Sequence, residues 1–90
     1  MPQAAITVYT TAVCPYCVAA KNLLRARGLD YAETRVDTDP QARAHMLAIS
    51  NGLRTVPQIF IGARHVGGFD ELAAADRDGR LAAWLVEAAP

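Results

Sequence analysis

The sequence predicts an α/β fold in which a four-stranded mixed sheet carries helices on its faces. Short apolar and β-branched segments alternate with segments of helical periodicity through the first half of the chain. A two-residue connection, Gly62-Ala63, then separates two strand-like segments, and the chain ends in apolar residues at helical spacing. A strand–helix–strand–helix order followed by a hairpin and helices is typical of a single mixed sheet.

The first half of the chain predicts two strands separated by a helix. Ile6–Tyr9 is β-branched and aromatic, which predicts a short buried strand. Pro15–Arg27 has helical periodicity, and Gly28 is placed to end that helix. Tyr31–Val36 alternates in polarity and predicts the second strand. The buried stripe of the helix is predicted to consist of Cys17, Ala20 and Leu24.

The second half predicts a helix, a hairpin and terminal helices. Asp37–Pro40 supplies an N-cap and a proline for the first helical position, and this helix runs to about Ile49. Val56–Ile61 and Arg64–Val66 are predicted to pair as antiparallel strands across Gly62-Ala63. The terminal helices are predicted over Phe69–Asp76 and Leu81–Ala88.

Length and charge limit the number of domains and the class of partner. A chain of 90 residues has room for one hydrophobic core, so we expect a single domain over residues 1–90. Nine basic and nine acidic side chains cancel, so no strong field favours nucleic acid or an anionic membrane. Met1–Ile6 lacks the features of a signal peptide, and no apolar run is long enough to span a bilayer. We expect a cytoplasmic monomer with neither nucleic-acid nor membrane partners.

The two cysteines, Cys14 and Cys17, are three positions apart and in a reducing compartment would be poor structural cross-links. Because Pro15 suits the first position of a helix, Cys14 is the predicted N-cap. Its sulfur would accept hydrogen bonds from the amides of Tyr16 and Cys17, and the positive end of the helix dipole favours a thiolate there. We therefore predict Cys14 as the nucleophile and Cys17 as a less exposed resolving thiol.

A zinc site or an inert cysteine pair is the alternative interpretation of this motif. The chain has no second cysteine pair, and His45 and His65 lie in separate predicted elements without zinc-finger spacing. Redox chemistry is therefore the favoured interpretation, and we expect no metal site.

Three motifs follow one another along the chain: Cys14–Cys17, Thr55–Ile61 and Gly67–Leu72. In their order and spacing they resemble the glutaredoxins, and most of all the short bacterial dithiol type. The resemblance covers nearly the whole chain and implies a thioredoxin-like fold. It also implies reduction of protein disulfides and glutathione mixed disulfides, with glutathione as co-substrate and no tightly bound cofactor. The implied partners are glutathione and disulfide-bearing or glutathionylated proteins.

The resemblance further implies a glutathione site. A loop containing Val56 and a cis Pro57 would face Cys14, leaving the Val56 backbone free to pair with an extended substrate. Amides at the start of the helix after Gly67-Gly68 would hold a carboxylate of glutathione, while Asp70 or Glu71 would face its ammonium group. The residues implied as glutathione contacts are Tyr16, Thr55, Val56, Pro57, Gly68, Phe69 and Asp70, with Glu71 as a further candidate.

The sequence departs from the family pattern at two positions. Many relatives carry a lysine where this chain has Thr11, and that lysine helps to hold the thiolate and a glutathione carboxylate. Arg54, next to Thr55, is the candidate to replace part of this role. Phe69 stands where some relatives have a third cysteine, so side disulfides at that point are excluded.

Two other functions stay open. One is an electron donor recharged by a thioredoxin-type flavoprotein reductase, but Val13 stands where thioredoxins usually have tryptophan, which favours glutathione. The other is a carrier of an iron–sulfur cluster bridged between two chains by Cys14 and glutathione. Relatives with that role more often have a single active-site cysteine, and Pro15 tends to disfavour the cluster.

Overall fold

A computed structural model describes residues 5–87 of the chain, in which four strands and four helices follow one another. The first four elements are β1 (Ile6–Thr10), α1 (Pro15–Ala26), β2 (Ala32–Arg35) and α2 (Pro40–Ile49). The last four are β3 (Gln58–Ile61), β4 (Arg64–Gly67), α3 (Phe69–Asp78) and α4 (Arg80–Glu87). Ala88, the predicted end of the last helix, lies outside the described residues, as do Met1–Ala4 at the start of the chain.

The strands form one mixed sheet in the order β2-β1-β3-β4. β1 pairs with β2 in parallel, whereas the β1–β3 and β3–β4 pairs are antiparallel. The predicted four-stranded mixed sheet and its terminal hairpin are therefore confirmed. β1 lies between β2 and β3 in the sheet. The loop that follows its last residue leads to α1, and Cys14 is the last residue of that loop.

Two apolar clusters cover the two faces of the sheet. Alternation along β1 places Ile6 and Val8 in one cluster and Tyr9 in the other. The cluster that includes α1 and α3 contains Ala20, Leu24, Ile59, Ile61, Leu72, Ala75 and Leu81 beside the two β1 residues. The cluster that includes α2 contains Val36, Met46 and Phe60 beside Tyr9.

Some observed boundaries differ from the predicted ones. β3 begins at Gln58 instead of Val56, because Pro57 has no N–H to give to a strand ladder. α3 continues to Asp78 and ends only at Gly79, whose φ of 87° is left-handed. Local signals placed the starts of the first three helices correctly, whereas α4 begins at Arg80, one residue before the predicted start. Asp39 Oδ1 caps α2 by accepting from the amides of Gln41 at 3.0 Å and Ala42 at 3.3 Å.

Gly67, at the junction of β4 and α3, is expected to resist substitution. Its φ is +116°, and a Cβ there would lie 2.8 Å from Glu71 Oε1. We expect Gly67→Ala to lower the free energy of unfolding by roughly 1–3 kcal/mol, measured by urea denaturation, because left-handed strain and displacement of Glu71 add together.

Gly79→Ala is the matched control for this prediction. Gly79 also has a positive φ, of +87°, but a Cβ there would meet no atom within 4 Å. Gly79→Ala should therefore carry the backbone strain without the clash. A loss of stability in Gly67→Ala no greater than that in Gly79→Ala would contradict the role assigned to the Glu71 contact.

Candidate functional site

The cysteine pair lies at the start of α1. Cys14 is the N-cap with extended backbone angles, Pro15 is the first helical residue, and the Val18 amide donates to Cys14 O at 3.1 Å. Cys14 and Cys17 are joined by a disulfide, with Cα atoms 5.2 Å apart. Cys17 is only 1% exposed whereas Cys14 is half-buried, as the sequence predicted.

One amide, and not two, caps the sulfur in the described structure. The Cys17 amide donates to Cys14 Sγ at 3.1 Å, but the predicted bond from the Tyr16 amide is not formed. The third helical amide faces an N-cap side chain most directly, and here the disulfide also holds the sulfur toward Cys17. The prediction that the Tyr16 amide shares this role is therefore wrong for the disulfide state.

The loop before β3 lies against Cys14, although 42 positions separate them along the chain. Cys14 Sγ is 3.7 Å from Val56 O, and the Val56–Pro57 peptide bond is cis, as the resemblance implied. A Cβ built on Gly68 would lie 3.6 Å from Pro57 O, so the start of α3 packs closely on the same loop. Three segments distant in sequence thus meet beside the sulfur.

The start of α3 presents backbone amides and acidic side chains. Gly68 is the N-cap, and its own amide donates to Glu71 Oε1 at 3.1 Å. This bond occupies the Gly68 amide. The amides of Phe69 and Asp70 are better placed to receive a ligand carboxylate, because the first amides of a helix have no carbonyl one turn earlier to donate to. Glu71, proposed from sequence as a partner for an ammonium group, has one carboxylate oxygen already engaged.

A cleft of about 250 Å³ joins these three segments. Tyr16 forms one wall, and its ring lies 6.3 Å from that of Phe69, centroid to centroid. Tyr16 remains 62% exposed, so an incoming molecule can cover it. The residues that line the cleft are Tyr16, Thr55, Val56, Pro57, Gly68, Phe69, Asp70 and Glu71.

Thr11 and Arg54 do not line this cleft, unlike the residues implied as glutathione contacts. Thr11 is half-buried in the loop after β1, and Arg54 is exposed just before Thr55. The structure therefore brings together the residues of the three motifs and leaves these two candidates at the margin.

Two ionic networks, which the sequence did not reveal, lie beside the loop that carries Cys14, and the first of them contacts the loop itself. Asp37 Oδ2 accepts from the Ala12 amide at 3.0 Å, and Arg35 binds both carboxylate oxygens of Asp37. These contacts hold the pKa of Asp37 well below its usual range, chiefly through the Arg35 hydrogen bonds. In the sequence, Asp37 was grouped with the N-cap of α2, and no local pattern links it to a loop so far away.

The second network lies under the end of β1. Glu33 Oε2 accepts from Lys21 Nζ at 2.9 Å and from Thr10 Oγ1 at 2.8 Å. Lys21, followed by Thr10, lowers the pKa of Glu33 through these hydrogen bonds. The network ties α1 to β1 and β2 immediately behind the cysteine loop.

Within residues 5–87, no group of three or more potential metal-ligating side chains lies close enough together to hold an ion. The helices described in the same range include none long and apolar enough to cross a membrane.

Adding a cation at position 11 is expected to make Cys14 more acidic. In Thr11→Lys we expect a lower Cys14 pKa than in the wild type, because a nearby ammonium group favours the thiolate. Ultraviolet thiolate absorbance of the reduced protein, titrated against pH in a Cys17→Ser background, measures this pKa. Thr11→Gln is the uncharged control of comparable length, and a pKa in Thr11→Lys equal to or above that of the control would contradict the prediction.

Comparison with known proteins identifies the family of this arrangement. The family model described as Glutaredoxin matches residues 6–66, which include the cysteine pair and the loop with the cis proline. The chain belongs to the glutaredoxin family. A glutaredoxin of Pseudomonas aeruginosa is 51% identical over 80 residues, which cover 89% of this chain and 94% of the relative. Glutaredoxin 3 of Escherichia coli K12 is 45% identical over 79 residues, covering 88% and 94% respectively.

Solved glutaredoxin structures share the fold. A crystal structure of a buckwheat glutaredoxin–glutathione complex superposes with a TM-score of 0.80 at 34% identity, covering 92% of this chain and 77% of that one. The solution structure of a Brucella melitensis glutaredoxin gives a TM-score of 0.79 at 41% identity, covering 92% and 89%. The thioredoxin-like fold is confirmed, and membership of the glutaredoxin family makes this chain a thiol–disulfide oxidoreductase with a cysteine pair able to form a disulfide.

Proposed function

We propose that this glutaredoxin uses glutathione to reduce protein disulfides and glutathione mixed disulfides. The observation that carries the proposal is the cleft beside Cys14, lined by every residue implied as a glutathione contact. These residues come from α1, the loop before β3 and the start of α3. The segments are distant in sequence, and the fold brings them together.

The chemistry of the cleft suits a γ-glutamyl tripeptide. Glutathione has two carboxylates and one ammonium group, and a site for it needs groups of both signs. The Phe69 and Asp70 amides at the positive end of α3 suit one carboxylate, and the Asp70 carboxylate suits the ammonium group. The Val56 backbone, with its carbonyl 3.7 Å from Cys14 Sγ, suits pairing with the peptide on either side of the substrate sulfur.

In the proposed reaction, the Cys14 thiolate attacks one sulfur of the substrate disulfide. A mixed disulfide forms, the substrate S–S bond breaks, and the leaving thiolate takes a proton from solvent. When the mixed disulfide is with a protein, the Cys17 thiol loses its proton and attacks Cys14 Sγ, which releases the reduced protein. The product is the Cys14–Cys17 disulfide, the bond present in this structure.

Two glutathione molecules then restore the dithiol. The thiolate of the first attacks Cys14 Sγ, giving a glutathione mixed disulfide on Cys14 and a free thiol on Cys17. The thiolate of the second attacks the sulfur of the bound glutathione, releasing oxidised glutathione and the Cys14 thiolate. Two glutathione thiols thus supply the two electrons that reduce one protein disulfide.

The test compares two reductants on the same purified protein. We expect turnover with glutathione, glutathione reductase and NADPH on a glutathionylated peptide, and much slower turnover with thioredoxin reductase and NADPH. Equal or faster turnover with thioredoxin reductase, together with none above the uncatalysed rate with glutathione, would overturn the proposal. Spectra of the anaerobically purified protein complete the test, because visible absorbance from an iron–sulfur cluster in a dimer would favour the carrier function.

A further inference from the structure

Gln58 is a buried polar residue at the start of β3, directly after the loop that lines the cleft. Its side chain is 2% exposed and lies on the sheet face that carries Phe60 and Tyr9. Gln58 Nε2 donates to Thr55 O at 2.9 Å and lies 3.1 Å from Thr55 Oγ1. A single amide group thus contacts both oxygen atoms of Thr55, a residue that lines the cleft.

The other end of the Gln58 amide contacts His65 on β4. Gln58 Oε1 is 2.6 Å from His65 Nε2, and because an amide oxygen has no proton to give, Nε2 must be the donor. The His65 ring stacks on Phe60, with centroids 4.7 Å apart and planes at 19°. In the β3–β4 pair His65 lies directly opposite Phe60, so the backbone pairing and the ring contact both fix the imidazole.

Thr55 O, which can only accept, sets which way the Gln58 amide points, and the His65 hydrogen bond reinforces that orientation. In the reverse orientation, Oε1 would face Thr55 O, acceptor against acceptor, and the bond to that carbonyl would be lost. An Nε2–H group on His65 disfavours this reversal, because it would then face the amide NH₂, donor against donor. His65 therefore influences Thr55 indirectly, through the orientation of the Gln58 amide that contacts both residues.

We propose that His65 is a positioning residue for the glutathione site, acting through Gln58 on Thr55. This inference rests on the proposed function, since it assumes that the loop beginning at Thr55 binds the glutathione moiety. His65 touches neither the cysteines nor the cleft, so it should affect substrate binding and leave the sulfur chemistry unchanged.

The first test replaces His65 by phenylalanine, which keeps a ring to stack on Phe60 and removes the donor. We expect the KM for a glutathionylated peptide to rise about three- to tenfold, the effect of losing one hydrogen bond, with kcat within about twofold of the wild type. His45→Phe is the matched control, because His45 is an exposed histidine on α2 whose ring neighbour is Tyr9. The control should leave both constants unchanged.

The second test asks whether the effect passes through Gln58. If it does, Gln58→Leu alone should raise KM at least as much as His65→Phe, and adding His65→Phe to it should raise KM no further. Independent, multiplicative increases in KM would overturn the relay, as would an unchanged KM in an active His65→Phe protein.

Nuclear magnetic resonance tests the same relay without glutathione. We expect His65 to carry its proton on Nε2 when neutral, and the Thr55 and Val56 amide resonances to shift in His65→Phe but not in His45→Phe. A neutral His65 protonated on Nδ1, or unshifted Thr55 and Val56 resonances, would overturn the inference. Absence of glutathione-dependent turnover in the wild type would instead overturn the proposed function, and with it the glutathione role of His65.

Discussion

Replacement of Cys14 by serine is expected to abolish thiol–disulfide exchange with every substrate. The reaction needs a thiolate, and the hydroxyl of serine is too weak an acid and too poor a nucleophile toward sulfur to replace it. We expect the rate to fall by at least about 10³-fold, to the uncatalysed background. Cys14 is the half-buried sulfur beside the cleft, and it accepts a hydrogen bond from the Cys17 amide at 3.1 Å, whereas Cys17 itself is only 1% exposed.

Rates with a glutathionylated peptide and with a protein disulfide measure this loss, using reduced wild-type protein as the reference. Val13→Ser is the matched control, because Val13 precedes Cys14 and its side chain is 91% exposed. The control should keep its activity, and circular dichroism should show the same fold in both variants. Measurable turnover by Cys14→Ser with either substrate would contradict its assignment as the nucleophile.

Replacement of Cys17 by serine is expected to separate the two activities. A protein held on Cys14 is released efficiently only by an intramolecular thiol, so reduction of protein disulfides should fall on the order of 100-fold or more. A glutathione moiety on Cys14 can be removed by a second glutathione from solution, so reduction of glutathione mixed disulfides should continue. The buried position of Cys17, at 1% exposure, fits a thiol that meets only Cys14.

The same two substrates, assayed side by side, measure this separation. Ala20→Ser is the matched control, since Ala20 is another fully buried small residue on the inner stripe of α1. It places a hydroxyl in the same apolar setting without removing a thiol, and should keep the ratio of the two activities. Retention of both activities by Cys17→Ser, or loss of both, would contradict the roles assigned to the two cysteines.

Local patterns were sufficient to predict most of the fold. Helix starts at Pro15 and Pro40 follow from an N-cap followed by proline, both of which act within one turn of backbone. The start of β3 was the main difference: the apolar residues Val56 and Pro57 have the character of a strand, but Pro57 has no N–H for a strand ladder and both lie in the loop. Apolar character alone does not report backbone conformation.

The candidate site was predictable in its membership but not in its internal bonds. Residues from all three motifs line one cleft, and those that the resemblance implied as glutathione contacts remain predicted contacts. The bond between the Gly68 amide and Glu71, by contrast, changes which amides are available. Thr11 was a candidate because many relatives carry a lysine there, and Arg54 because of its charge and its place next to Thr55; neither reason places a side chain in the cleft.

By itself, the sequence determined the features that act over a few residues: the alternation of strands and helices, the N-cap position of Cys14 and the burial of Cys17. Such features depend on backbone hydrogen bonds and apolar periodicity, which neighbouring residues specify. Only the tertiary structure decided the contacts between distant segments, such as Cys14 with Val56, Ala12 with Asp37, and the chain from His65 through Gln58 to Thr55. These contacts depend on how the sheet and the helices pack, because packing decides which polar atoms are buried and must therefore be hydrogen-bonded.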